Sequence, residues 1–162
     1  WGLQAAAAGA SQVLCVDASA PALALLHDNA ARSGLTSTVE TRQGDAFEVL
    51  ADLLGAGERF DVVAVDPPAF IKRKRDAEAG TEAYQRLNRL AMQLVVPGGY
   101  LVSASCSHHL AEADFRDLLR RAVQPLNRRL QMLERGHQGA DHPQTPGMPE
   151  ADYLKVAFCR VL

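Results

Sequence analysis

Two hydrophobic rhythms alternate along the chain. Apolar runs at 12–16, 60–65, 100–105, 129–134 and 153–161, and an alternating run at 38–42, have strand length and are bounded by glycine, proline or acidic residues. Between them the spacing turns helical. A short helix is predicted at 3–8. Ser19 and Pro21 open a longer one with Leu23, Leu25 and Leu26 on its apolar side and Gly34 as its stop. Another is predicted over 46–54, ended by Gly55 and Gly57. Leu87, Leu90, Ala91 and Leu94 stand at i, i+3, i+4 and i+7 within a helix predicted over 81–95. Pro97-Gly98-Gly99 predicts a turn, and 110–123 a last helix with Phe115, Leu118, Leu119 and Ala122 on one face.

Strands alternating with helices predict a parallel sheet covered on both faces. The last two strands are joined by a Pro/Gly-rich loop over 139–149 with no helix between them, which predicts an antiparallel hairpin at one edge. The expected fold class is therefore α/β: a Rossmann-like, mostly parallel sheet with a C-terminal antiparallel hairpin. No repeat or linker interrupts the pattern, and 162 residues suffice for one domain, 1–162, with a sizeable core.

Charge narrows the partners only slightly. Lys and Arg number 17 against 19 Asp and Glu, so any contact with nucleic acid has to come from a local patch. Lys72-Arg73-Lys74-Arg75 is such a patch, readable as a solvated loop or as a grip on phosphates. No apolar run approaches the ~20 residues of a membrane helix, so no membrane partner is expected. The cysteines are Cys15, Cys106 and Cys159, without a C-x-x-C pair; a disulfide framework or zinc site is not expected, and a reduced cytoplasmic setting fits. His108 and His109 are adjacent and point apart, so they read as loop or helix-start residues and no metal is expected.

The candidate chemistry collects at strand ends, where open α/β sheets build their sites. Asp17 ends one strand and can accept ribose hydroxyls, or serve as a helix cap. Asp45, in Gly44-Asp45-Ala46-Phe47, can take the exocyclic amine of an adenine or cap the following helix. Asp66-Pro67-Pro68-Ala69-Phe70 closes a third strand; the two prolines fix φ and remove two donors, leaving carbonyls and a carboxylate outward for a planar heterocycle. Its plain alternative is a rigid strand exit with Phe70 in the core.

Cys106, in Ser105-Cys106-Ser107, sits where a strand turns polar, whereas Cys15 and Cys159 lie mid-strand among apolar neighbours and read as structural. A thiolate adding to carbon 6 of cytosine makes carbon 5 nucleophilic toward a methyl sulfonium, and a carboxylic acid at ring nitrogen 3 eases the addition. Cys106 and Asp66 are the candidates for those roles, with the start of the following helix expected to favour the thiolate.

In matching order, Asp66-Pro67-Pro68-Ala69-Phe70, Ser105-Cys106-Ser107, Ala140-Asp141-His142-Pro143, Tyr153-Leu154-Lys155 and Cys159-Arg160-Val161 resemble the catalytic domain of the bacterial 23S ribosomal RNA methyltransferases of the PUA-domain type that make 5-methylcytidine. The resemblance spans essentially the whole chain. It implies a class I methyltransferase fold and S-adenosylmethionine as cofactor, with Cys106 as nucleophile and Asp66 as its catalytic partner. It further implies cofactor contacts from Asp17, Asp45, Ala46, Asp66 and Pro67. Tyr84 and Asn88 match a helix facing the site and receive no chemical role. Ribosomal RNA is the implied substrate, and a homodimer the implied assembly. Family members carry an upstream strand with a glycine-rich loop, a PUA domain and a hairpin-rich linker, so the chain is expected to be incomplete at its N-terminus. Alone, it is expected to bind the cofactor poorly and to lack RNA selection.

Three other readings compete. Asp-Pro-Pro-aromatic turns also serve methylation of amino groups, such as guanine N2 or adenine N6, with no thiol. A nicotinamide-dependent oxidoreductase would require a G-x-G-x-x-G that the chain does not contain. A noncatalytic RNA-binding remnant fits poorly with the near-neutral charge.

Overall fold

Ser19 begins the first long helix as its side chain suggests, its Oγ accepting from Ala22 N–H at 3.3 Å, with Pro21 in the first turn, where no donor is needed. This is helix α2 (Ala20–Arg32), flanked by α1 (Gly2–Ala7), strand β1 (Val13–Asp17), strand β2 (Val39–Gln43) and helix α3 (Ala46–Gly55). The computed structural model describes residues 1–145, 147, 148 and 151–162, and these form two compact units, Trp1–Leu53 and Leu54–Leu162.

In the first unit β1 and β2 pair in parallel, Val13 opposite Val39 and Asp17 opposite Gln43. Ala6, Ala30 and Val39 form its core, packed with Leu3, Val13, Cys15, Leu26 and Leu35. α1 approaches β1 so closely that a Cβ on Gly2 would collide with Cys15 Sγ. Leu23 is buried, but Leu25, expected on the apolar side of α2, is 62% exposed. Leu23 and Leu26, one turn apart, carry that side without it.

The second unit holds β3 (Phe60–Val65), a 3₁₀ turn (Lys74–Asp76), α4 (Ala77–Leu94), β4 (Val95–Ser105) and α5 (Glu112–Val123). A second 3₁₀ turn (Gln124–Leu126), β5 (Leu130–Gly136) and β6 (Lys155–Val161) complete it. Its sheet has the order β3-β4-β6-β5, parallel between β3 and β4 and antiparallel on both sides of β6. The expected terminal pair is present, with β6 inserted beside β4 and β5 outermost. Leu87, Ala91 and Leu94 of α4 and Phe115, Leu118, Leu119 and Ala122 of α5 are buried, the positions their helical spacing marks. The loop expected over 139–149 includes positions 146 and 149, which lie outside the described residues.

Several boundaries differ from the sequence expectation; β6, for one, starts at Lys155 rather than 153. α4 starts at Ala77 rather than 81, and α5 at Glu112 rather than 110. Pro97-Gly98-Gly99 lies inside β4, not in a turn before it: the register with β3 jumps between Phe60 opposite Val95 and Val62 opposite Tyr100. Gly98 adopts φ +82°, and a Cβ on Gly99 would sit 2.7 Å from Asp61 O, so both glycines are needed where the strand bulges. Carbonyls around the irregularity would lack partners, and the Arg128 guanidinium supplies them. It donates to Met92 O, Val95 O and Val96 O at 2.8, 2.6 and 3.1 Å, and to Val161 O at 3.4 Å. Among the described residues no helix is long and apolar enough to cross a membrane.

Candidate active site at the strand ends of the second unit

Because β3 and β4 are parallel neighbours, with Val65 opposite Ser103, their carboxyl ends emerge side by side. From β3 comes the Asp-Pro-Pro-Ala-Phe turn, and from β4 the Ser-Cys-Ser run. Their meeting point is specific. Cys106, half-buried, directs its thiol at Pro67 O at 3.9 Å, within the long reach of a sulfur donor. Pro67 and Pro68 have no N–H to turn that carbonyl back into a local hydrogen bond. Asp66, immediately before them, is exposed at the end of β3.

Ser107 fastens the two ends together. Fully buried, it has every polar group engaged. Its N–H donates to Ser105 Oγ at 3.2 Å, and its Oγ accepts from Ile71 N–H at 3.1 Å. The same Oγ pairs with the Tyr84 hydroxyl at 2.9 Å, and Tyr84 Oη accepts from Phe70 N–H at 3.4 Å. The two residues after Pro68-Ala69 are thus hydrogen-bonded to side chains from α4 and from the end of β4. The Phe70 ring lies against Tyr84, centroids 4.7 Å apart and planes tilted by 55°. α4 comes close enough that a Cβ on Gly80 would collide with Ile71 Cγ1 and sit 2.9 Å from Phe70 O.

Lys155 is the fourth member of the cluster. It opens β6, pairs with Ser105 in register, and is buried, its Nζ donating to Ser107 O at 2.8 Å. Burial pulls its ammonium below the usual lysine range; the charges of Asp152, Glu112 and Cys106 act the other way. Among the other thiols, burial raises Cys15 and pushes Cys159 up to about 11. Cys15 sits within β1 and Cys159 within β6.

The remaining residues singled out in the sequence divide by unit. In the first, Asp17 and Asp45 stand at the carboxyl ends of the paired strands β1 and β2, and Gly44 N–H donates to Asp17 O at 3.1 Å. Asp17 Oδ1 accepts from Ser19 N–H at 2.7 Å; it shapes the turn, while Ser19 caps α2. Asp45 Oδ1 accepts from Phe47 and Glu48 N–H at 2.8 and 3.3 Å, the geometry of a helix cap at α3, which starts at Ala46. In the second, Lys72, Arg73, Lys74 and Arg75 are all exposed between the Pro-Pro turn and α4. His108 and His109 are exposed in the turn after Ser107, rings 5.2 Å apart. α5 begins at Glu112 and carries Glu112 and Asp114 in its first turn, charges that counter the positive end of the helix. Asn88, buried, donates from Nδ2 to Tyr84 O at 2.9 Å on its own helix.

A family model described as conserved hypothetical protein 95 matches residues 1–96. The chain belongs to this family. It is also similar to proteins named ribosomal RNA large subunit methyltransferase I: 39% identical over 162 residues to that of Shewanella denitrificans, covering 99% of the chain and 41% of the relative. Against that of Vibrio cholerae it is 36% identical over 165 residues, covering 100% of the chain and 42% of the relative. The chain thus spans about two fifths of the length of the curated relatives it matches. Among solved structures it resembles SMU.776 complexed with SAH, with a TM-score of 0.83 at 18% identity over 96% of this chain and 40% of that one. It also resembles TrmN from Thermus thermophilus, with a TM-score of 0.66 at 21% identity over 99% of this chain and 40% of that one. These likenesses are of fold, and the fold is the α/β, Rossmann-like one of methyltransferases, with parallel strands followed by antiparallel ones.

Proposed function

We propose that this chain is the catalytic part of an S-adenosylmethionine-dependent methyltransferase that modifies carbon 5 of a cytidine in large-subunit ribosomal RNA through a covalent Cys106 adduct. The observation that carries the reading is the approach of the Cys106 sulfur to the Pro67 carbonyl at 3.9 Å. A half-exposed thiol beside a rigid, carbonyl-bearing turn suits a flat base with an exocyclic amine: the amine donates to the turn while the sulfur faces the ring. The names of the relatives support ribosomal RNA as the substrate class. Cytoplasmic location and a homodimer belong to the same proposal.

The chain's own residues would divide the work as follows. Cys106 Sγ, as thiolate, bonds to carbon 6, while Asp66, as its carboxylic acid, donates its proton to ring nitrogen 3, which takes up the electron density. Carbon 5, no longer held in the aromatic ring, becomes the nucleophile. Once carbon 5 carries the methyl group, its proton leaves to solvent, the sulfur–carbon 6 electron pair departs with Cys106 as thiolate, and nitrogen 3 returns its proton to Asp66. The Ser107–Tyr84 clamp keeps turn and sulfur in register throughout, and Lys72 to Arg75 offer cations to the RNA backbone. The base must leave its stack first, at a cost of a few kcal/mol.

Donor chemistry at the first unit's strand ends fits the cofactor. Asp17 and Asp45 are acceptor-only groups held through Oδ1, so Oδ2 of each is offered to a ribose hydroxyl or an adenine amine. When bound, S-adenosylmethionine supplies the electrophilic methyl group.

Cys106→Ala in the full-length protein tests the proposal. Loss of methyl transfer with cofactor binding retained is expected; undiminished transfer would overturn the thiol route and leave methylation of an exocyclic amine.

A further inference from the structure

We infer that Lys155 is a positioning residue for Cys106, its ammonium held against the Ser107 carbonyl as the counter-ion of the Cys106 thiolate. The inference rests on the cysteine-adduct reading above. A lysine opening a strand whose other residues are apolar except the exposed Arg160, in Lys-Val-Ala-Phe-Cys-Arg-Val, is costly to bury. Here it is only 8% exposed, paired in register with Ser105 and bonded at 2.8 Å to the residue after Cys106. One carbonyl dipole is a partial partner for an ammonium inside a protein.

The charged groups acting on it come from three directions: Asp152 before β6, Glu112 at the start of α5, and Cys106 at the end of β4. On the turn side, Tyr84 of α4 is engaged with Ser107, and Asp66 lies at the end of β3. His108 and His109 follow Ser107 but are exposed. Asp152 and Glu112 also have other partners, Gln144 Nε2 at 2.9 Å and Arg135 at 4.0 Å. A cation bonded to the carbonyl of the residue that follows Cys106 favours a thiolate over a thiol at Sγ. The proton leaves Sγ for solvent, and an ammonium–thiolate pair remains. The first turn of α5 carries Glu112 and Asp114, and Lys155 supplies the cation.

The test is alkylation of Cys106 by iodoacetamide in the full-length protein, followed on its own peptide by mass spectrometry. Wild type, Lys155→Met, Lys155→Gln and Lys155→Arg are compared at neutral pH and at about pH 10, beyond the ordinary thiol range. Lys155→Met and Lys155→Gln are expected to slow alkylation about tenfold at neutral pH and to converge with wild type at the alkaline end. Lys155→Arg is expected to restore most of the rate. Unchanged neutral rates, or equal slowing at both pH values as a merely structural role would give, overturn the inference. Should Lys155→Met not fold, Lys155→Gln decides, because it keeps a donor for the Ser107 carbonyl and removes only the charge; a full neutral rate there also overturns it. Alkylation requires neither RNA nor methyl transfer, so it fails or succeeds independently of the Cys106→Ala experiment on which the adduct reading stands.

Discussion

Ser107→Ala removes one oxygen atom and should disconnect the two halves of the candidate site. Its Oγ is the acceptor for Ile71 N–H at 3.1 Å and the partner of the Tyr84 hydroxyl at 2.9 Å, all in buried surroundings. A buried polar group left unsatisfied costs about 1–3 kcal/mol. The Ile71 donor bears that cost fully, whereas Tyr84 keeps its contact with Phe70 N–H at 3.4 Å. The expected loss is therefore about 2–4 kcal/mol, a large part of the ~5–15 kcal/mol that holds a typical domain together. Tyr84→Phe deletes the same Tyr–Ser bond from the other side and removes the hydroxyl that accepts from Phe70 N–H, for about 1–3 kcal/mol. Since the shared bond is counted in both, the double variant should be less destabilised than the sum by about 1 kcal/mol. Urea unfolding of the full-length protein, read as midpoint and slope, measures all four corners of the cycle. A Ser107→Ala cost below about 0.5 kcal/mol, or strict additivity, would show that Ser107 does not join the turn to the strand.

Three further outcomes follow from particular atoms. Gly80→Ala, normally worth about 1 kcal/mol of helix stability, should instead destabilise by about 1–3 kcal/mol and slow methyl transfer, because the new Cβ meets Phe70 O at 2.9 Å; a more stable variant in a thermal melt would contradict this. Arg128→Lys keeps the charge but cannot reach four carbonyls from one planar fork, and should cost about 2–4 kcal/mol in urea unfolding; a neutral result would mean that solvent satisfies the bulge. Burial pushes the Cys159 thiol up to about 11 from the ordinary 9.0, so between those values the unfolded chain ionises there while the folded one does not. Stability is full below the lower value and falls as pH rises through the window, so wild type should lose ground to Cys159→Ala across it; parallel curves would refute the assignment.

The helices were readable because their apolar residues repeat at fixed spacing: Phe115, Leu118, Leu119 and Ala122 are all buried, as the pattern requires. β3 was readable for the opposite reason, an apolar run interrupted by Asp61 and ended by Asp66-Pro67. The Pro97-Gly98-Gly99 segment misled, since the same residues make a turn or a bulge, and the carbonyls bonded beside this one meet Arg128, a cation supplied from beyond α5. In the candidate site, the parts carrying reactive groups stood out as Asp66, Pro67 and Cys106. Ser107, Tyr84 and Lys155 entered only through the resemblance and without a role, because a buried serine or lysine is defined by partners distant in sequence: Ile71, Ser107 and Ser105. Lys155 left a faint trace as the one charge at the head of an apolar strand. Asp17 and Asp45 were legible as strand-end carboxylates, and the bonds they make to Ser19, Phe47 and Glu48 N–H hold those carboxylates in place.

The central claim is a sulfur–carbon bond between enzyme and base. Incubating the full-length protein, cofactor and RNA carrying 5-fluorocytosine tests it most directly, because fluorine at carbon 5 cannot leave as a proton does and the adduct persists. A stable protein–RNA conjugate whose cross-linked peptide contains Cys106 is the expected result. Methyl transfer to ordinary RNA with no conjugate on the fluorinated strand, or a conjugate through another residue, would contradict the account.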